Sequence, residues 1–140
     1  MSVFVGLVFG NKEIKNEVIE QSAHIEETLD TWQIFIEALI QVESGGNDYA
    51  VGRHEDGGAL QLTKIAIIDC NRILGVDYYT LEDRFNREKS IEIFNVLQNH
   101  YNPEHDMHLA LKIHNSRAPL SYHIKVMNKY NELKNNGSAN

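Results

Sequence analysis

The stretch from residue 43 to residue 61 opens Glu43-Ser44-Gly45-Gly46-Asn47, passes through Ala50-Val51 and closes on Gly58-Ala59-Leu60-Gln61. Before it, over 32–43, Trp32, Phe35, Ile36, Leu39 and Ile40 form a wide apolar stripe at helical spacing, with Asp30 or Thr31 as its cap. After Glu43 the periodicity stops. Gly45, Gly46, Gly52, Gly57 and Gly58 predict a loop of tight turns. Glu43 is therefore a carboxyl at the end of an apolar helix, one turn beyond Leu39 and Ile40. Partial burial and the negative end of the helix dipole both disfavour its charged form. A carboxyl so placed suits a general acid at neutral pH. The plainer alternative is a solvated glutamate at a helix end.

Upstream, Ile14, Val18, Ile25 and Leu29 share one face at a period near 3.6, so 12–29 reads as an amphipathic helix. The apolar run Ser2–Phe9 reads as a strand or helix start packed on the core, or alternatively as an anchor to a partner or a membrane surface. It is too short to span a bilayer and lacks the flanks of a signal peptide. Downstream, short strands are expected around Ala59–Leu62. Thr63 caps a helix 64–74 that Gly75 ends. A helix near 87–101 stops before Pro103, Asp106 caps 107–115, and Pro119 starts a last helix to about Lys134. Residues 135–140 are polar and read as a frayed tail. The fold class is mainly α, with one Gly-rich loop or small β element after the helix that carries Glu43.

The order of these motifs resembles the lysozyme-like lytic transglycosylases (the soluble lytic transglycosylase and goose-type lysozyme superfamily), in a phage-type branch. Glu43-Ser44-x-x-Asn47-x-x-Ala50 matches that family's first motif, and Gly58-x-x-Gln61 its second, at the family spacing. Asp69-Cys70-Asn71-Arg72-Ile73, Leu81 to Asn86, and Ala110 to Asn115 follow in order, with His114 where the family carries tyrosine. Tyr122, Val126 and Tyr130 match the closing helix. The likeness runs over 32–133. It divides the chain into an N-terminal extension (1–31), a lysozyme-like domain (32–134) and a tail (135–140).

The resemblance implies cleavage of the β-1,4 bond between N-acetylmuramic acid and N-acetylglucosamine in peptidoglycan. Glu43 would act as acid and then base, giving a 1,6-anhydro product with no metal or cofactor. It assigns substrate-binding roles to Ser44, Gly58, Gln61, His114, Asn115 and Tyr130, the last with its hydroxyl near Glu43. Tyr122 and Val126 are read as core packing. Water attack would make the chain a muramidase instead, with Asp48, Glu55 or Asp56 as a second carboxylate. A non-cleaving glycan-binding or particle-assembly domain is the reading from another class, prompted by His114, Ser116 and Arg117. The imidazole at 114 would also make activity pH-sensitive.

Composition narrows the field further. In 140 residues, 42% are hydrophobic and 24% charged, which suits one globular domain of ordinary make-up. The net charge of −7 disfavours a nucleic-acid partner, which needs clustered cations. That charge is uneven. Residues 1–43 hold two basic and eight acidic side chains, whereas 101–140 hold five basic and three acidic. The acidic extension 1–31 is a candidate docking arm for a virion or secretion-machine protein. The expected setting is a cytoplasmically made enzyme, without signal peptide or stable membrane insertion, that reaches the cell wall as an endolysin or virion component. Cys70 stands alone, which excludes a cysteine-based zinc site and predicts an inert buried thiol. His100, His105 and His108 match no ligand spacing.

Overall fold

The computed structural model describes the backbone of residues 2–138 and the side chains of 11–28 and 30–137. Among them the chain forms α1 (Ser2–Ser44), α2 (Lys64–Leu74), a 3-10 turn (Leu81–Phe85), α3 (Arg87–Tyr101), α4 (Met107–His114) and α5 (Leu120–Ser138). β structure among the described residues is limited to isolated bridges, Val51 to Gly57 and Gly57 to Leu62, where short strands were expected. The fold is mainly α.

One boundary differs from the sequence reading. The break expected at Asp30 and Thr31 does not occur, and α1 is continuous through both. No glycine or proline stands between Gly10 and Gly45, so nothing removes a backbone donor or favours left-handed geometry there. At the other end, α5 continues past Lys134 to Ser138.

Contacts divide the chain into a unit Met1–Gln33 and a unit Ile34–Asn140. The first is helical. Ile14, Val18 and Ile25 share its apolar face as predicted, and all are exposed. The side chains of the Ser2–Phe9 run and of Leu29 lie outside the described residues.

The second unit holds a core of Phe35, Leu39, Ile40, Leu60, Leu62, Ile93, Phe94, Leu111 and Val126, all fully buried. Its helices end where local chemistry dictates. Thr63 Oγ1 accepts from the Ala66 amide at 3.0 Å at the start of α2. Gly75 ends that helix with a left-handed φ of 74°. Asn86 caps α3 through Lys89 and Asp106 caps α4 through Leu109. The turn between α3 and α4 is fixed by a buried amide pair. Asn102 Nδ2 donates to Gln98 Oε1 at 3.0 Å and to the Asp106 carbonyl at 2.9 Å, and Asn102 Oδ1 accepts from the Asp106 amide. Satisfied buried amides of this kind fix one geometry. Here they set the direction in which α4 delivers His114. Cys70 is fully buried, and burial together with the nearby Asp69 charge pushes its thiol up to about 11, which leaves it protonated and inert. No helix among the described residues is long and apolar enough to cross a membrane.

Candidate active site

α1 ends at Ser44 because Gly45 and Gly46 follow with φ of 63° and 83°, conformations that glycine adopts without strain. The helix end is then tied to the loop it feeds. The Ser44 hydroxyl lies 2.8 Å from the Ala59 carbonyl and 3.1 Å from that of Ile40, sharing one proton between them. Ser44 thus ties the end of α1 to the loop.

The loop is pinned from outside by two arginines. Arg84 Nη1 donates to the Glu55 carbonyl at 2.9 Å and to that of Leu62 at 3.2 Å. Arg87 Nη2 donates to the Gly46 carbonyl at 2.6 Å, and its Nε pairs with Asp48. From inside, Gln61 Nε2 donates to the carbonyls of Gly58 and Ala50 at 2.9 and 3.1 Å. Gln61 holds φ at 49°, an uncommon value for a side-chain-bearing residue that the surrounding bonds sustain. Gly58 has a role other than the close approach to sugar suggested for it. A Cβ there would lie 1.7 Å from the Arg84 carbonyl oxygen, so what approaches Gly58 is the chain's own backbone.

Glu43 sits at the wall of a cleft of about 370 Å³, also lined by His54, Asp56, Gln61, His114, Asn115 and Arg117. Its side chain keeps 14% exposure. Two groups converge on one of its oxygens. The Tyr122 hydroxyl donates to Glu43 Oε1, and His114 Nε2 lies 3.4 Å from the same atom. The His114 ring is 7% exposed and packs edge-on against Phe94, which fixes its plane. Among the described residues these polar contacts fall on Glu43 Oε1, and neither hydrogen bond nor ion pair falls on Oε2. Asn115 ends α4, its amide bonded to the Leu111 carbonyl and its own carbonyl to the Ala118 amide, with its side chain exposed at the cleft.

The tyrosine beside Glu43 is Tyr122 and not Tyr130. The two share a helical face with Val126 between them, and eight residues of helix separate them by about 12 Å along the axis. Tyr130 is buried in the core, its ring 5.8 Å from the Lys134 ammonium. Tyr122, read as core packing, is half-buried, and its hydroxyl bonds Glu43. The usable signal was a tyrosine one turn before the fully buried Val126, a position where phenylalanine would serve packing alone. Burial, and then the Glu43 charge and hydrogen bond, push the Tyr122 hydroxyl well above the ordinary phenol range. It therefore keeps its proton and acts as a fixed donor.

Tyr122→Phe deletes that donor and leaves the packing. A hydrogen bond to a charged group contributes about 1.5–3 kcal/mol, so lytic turnover is expected to fall about 10- to 100-fold in a variant that still folds, with its melting temperature lowered by roughly 5–10 °C. Unaltered turnover would remove Tyr122 from the site.

The histidines that invited a metal point elsewhere. His105 Nε2 meets Asn99 Oδ1 at 2.7 Å and His100 stacks edge-on against Tyr101.

No curated protein and no solved structure matches the chain. The family model described as transglycosylase SLT domain matches residues 21–138, which spans the cleft and every helix around it. The chain is thus a member of the transglycosylase SLT domain family, lysozyme-like enzymes that act as peptidoglycan lytic transglycosylases.

Proposed function

We propose that the chain cleaves the β-1,4 bond between N-acetylmuramic acid and N-acetylglucosamine, with Glu43 serving as acid and then as base. The observation that carries this reading is the one-sided anchoring of Glu43. Tyr122 and His114 hold Oε1, which leaves Oε2 to meet substrate at the wall of a polar cleft. In the first step protonated Glu43 gives its proton to the glycosidic oxygen as the bond from that oxygen to the anomeric carbon breaks. The carbonyl oxygen of the substrate's own N-acetyl group stabilises the cationic centre. In the second step ionised Glu43 takes the proton of the sugar 6-hydroxyl as that oxygen bonds to the anomeric carbon. Glu43 is regenerated protonated and the product carries a 1,6-anhydro ring. Tyr122 donates to the carboxylate throughout and exchanges no proton. Gln61 shapes the loop wall, and Asn115 and Arg117 line the same cleft and offer hydrogen bonds to a bound sugar.

One observation favours hydrolysis as a second reading. Asp56 lines the same cleft as Glu43, while Asp48 is paired with Arg87. An inverting muramidase would use Asp56 to activate water. Asp56→Asn separates the two. The 6-hydroxyl route predicts soluble fragments with anhydro ends, by mass spectrometry of digested purified walls, and a rate within about threefold of wild type. Reducing ends together with a loss of about 10²-fold or more in the variant would establish hydrolysis in its place.

A further inference from the structure

The face of α1 that Ile14, Val18 and Ile25 share is uncovered among the described residues. From Asn11 to Thr28 every side chain is exposed, and those three keep 59%, 55% and 58% of their surface. A helix in water draws most of its stability from burying such a face. The spacing on this one is a heptad. Asn11, Val18 and Ile25 recur every seven residues, and Ile14, Gln21 and Thr28 follow each of them by three. Those are the a and d positions of a coiled coil. In sequence the same register gives Phe4 an a position and Leu7 a d position, so it runs for more than three heptads.

The placing of charge decides what suits this face. Of the five glutamates between 12 and 28, Glu13, Glu20 and Glu27 take c positions and Glu26 a b position, all on the outer side. The e and g positions that flank the seam hold Lys15, Glu17, Ser22 and His24, a mixed set close to neutral. An identical helix therefore approaches the seam without like-charge repulsion at its edges. A lipid surface is a poorer match. A helix that lies on one carries Lys and Arg on its polar face, and this segment has two lysines against five glutamates. Ile19 falls at b, outside the seam. Thr28 enters the seam already satisfied, because its hydroxyl donates to the His24 carbonyl at 2.8 Å.

We propose that residues 11–28 pair with the same segment of a second copy of the chain, as a parallel, in-register, two-stranded coiled coil. Val18 and Ile25 are β-branched residues at a, the choice that favours two parallel strands. Asn11, also at a, meets its own counterpart when the strands run parallel and unshifted, and the paired amides then satisfy each other. Gln21 does the same at d. These two polar layers fix the register and lower the affinity, so the pairing is reversible.

Sedimentation equilibrium of the full chain is the test. Wild type is expected to approach twice the chain mass of 16.0 kDa as its concentration rises. The expected dissociation constant is about 1–100 μM, as a short seam with two polar layers implies. Val18→Glu sets two carboxylates against each other in the seam and is expected to weaken the dimer at least about 100-fold, the worth of two buried valines. Ile19→Glu, at b, is the control and is expected to leave the affinity unchanged. Val18→Cys is expected to cross-link to its counterpart on oxidation in air, while Cys70 is buried and does not compete. A wild type that stays monomeric up to about 1 mM, or a dimer that Val18→Glu leaves intact, would overturn the pairing. A dimer in which Val18→Cys fails to cross-link would overturn the parallel register. A monomeric chain that binds vesicles of zwitterionic lipid would assign the face to a membrane in its place.

Discussion

Glu43→Gln is expected to fold as wild type and to lose about three orders of magnitude of lytic rate. The amide keeps the shape of the carboxyl and leaves an oxygen to accept from Tyr122, so the helix end and the cleft wall persist. On the proposed mechanism, what disappears is the proton for the leaving oxygen and, in the same reaction, the base for the 6-hydroxyl. No neighbour replaces both. Tyr122 holds its proton because burial and the Glu43 charge push it far above neutrality, and Asp48 is committed to Arg87. The measurement is clearing of purified cell walls, paired with circular dichroism and a melting curve. Near-wild-type clearing by a folded variant would show that another group performs the chemistry.

Gly58→Ala has the largest expected effect on stability. The position holds φ at 83°, which costs a side-chain-bearing residue free energy, and the added Cβ would stand 1.7 Å from the Arg84 carbonyl oxygen and 2.7 Å from its carbon. Both are backbone atoms and have no rotamer to escape into. Strain and overpacking together come to about 4 kcal/mol, a fall in Tm of about 10–20 °C for a chain of this size. Gly75→Ala is the control. Its φ is 74°, yet a Cβ there meets nothing within 4 Å, so only the backbone term of about 1 kcal/mol applies. Thermal melts of the two variants separate the clash from the conformational cost. Equal Tm values would mean that the backbone of the 3-10 turn at Arg84 yields freely.

Those two residues mark where the sequence was and was not legible. Glu43 stood out because a charge at the end of an apolar stripe, followed by glycines, is a local pattern. The caps Thr63, Gly75 and Asp106 were local in the same way: Thr63 and Asp106 satisfy their own turns with a side chain, and Gly75 does so with its backbone N–H in a left-handed conformation. Gly58 was read as a place of close approach to sugar, whereas what approaches it is the backbone of Arg84, 26 positions away, and no local pattern names that neighbour. The same holds for Arg84 and Arg87, which pin the loop through carbonyls of Glu55, Leu62 and Gly46 across long chain separations. Tyr122 and Tyr130 are equivalent by helical periodicity, and only the position of α5 along its axis decides which reaches Glu43. The continuous α1 illustrates the reverse case. Asp30 and Thr31 are good caps by type, but a cap acts only where something ends the helix, and no glycine or proline does so before Gly45.

His114 joins the two levels. Its departure from the resembled tyrosine was visible in the sequence, whereas its place 3.4 Å from Glu43 Oε1 and its packing on Phe94 required the fold. The imidazole and the Tyr122 phenol converge on one carboxylate oxygen, and on the proposed mechanism the other meets substrate.

The most direct test of the mechanism is digestion of purified cell walls by the wild-type chain in water enriched in heavy oxygen, with the released fragments read by mass spectrometry. Attack by the 6-hydroxyl takes no oxygen from solvent, so the predicted fragments end in unlabelled 1,6-anhydro-N-acetylmuramic acid. Fragments with labelled reducing ends would contradict the account and make Glu43 the acid of a hydrolase.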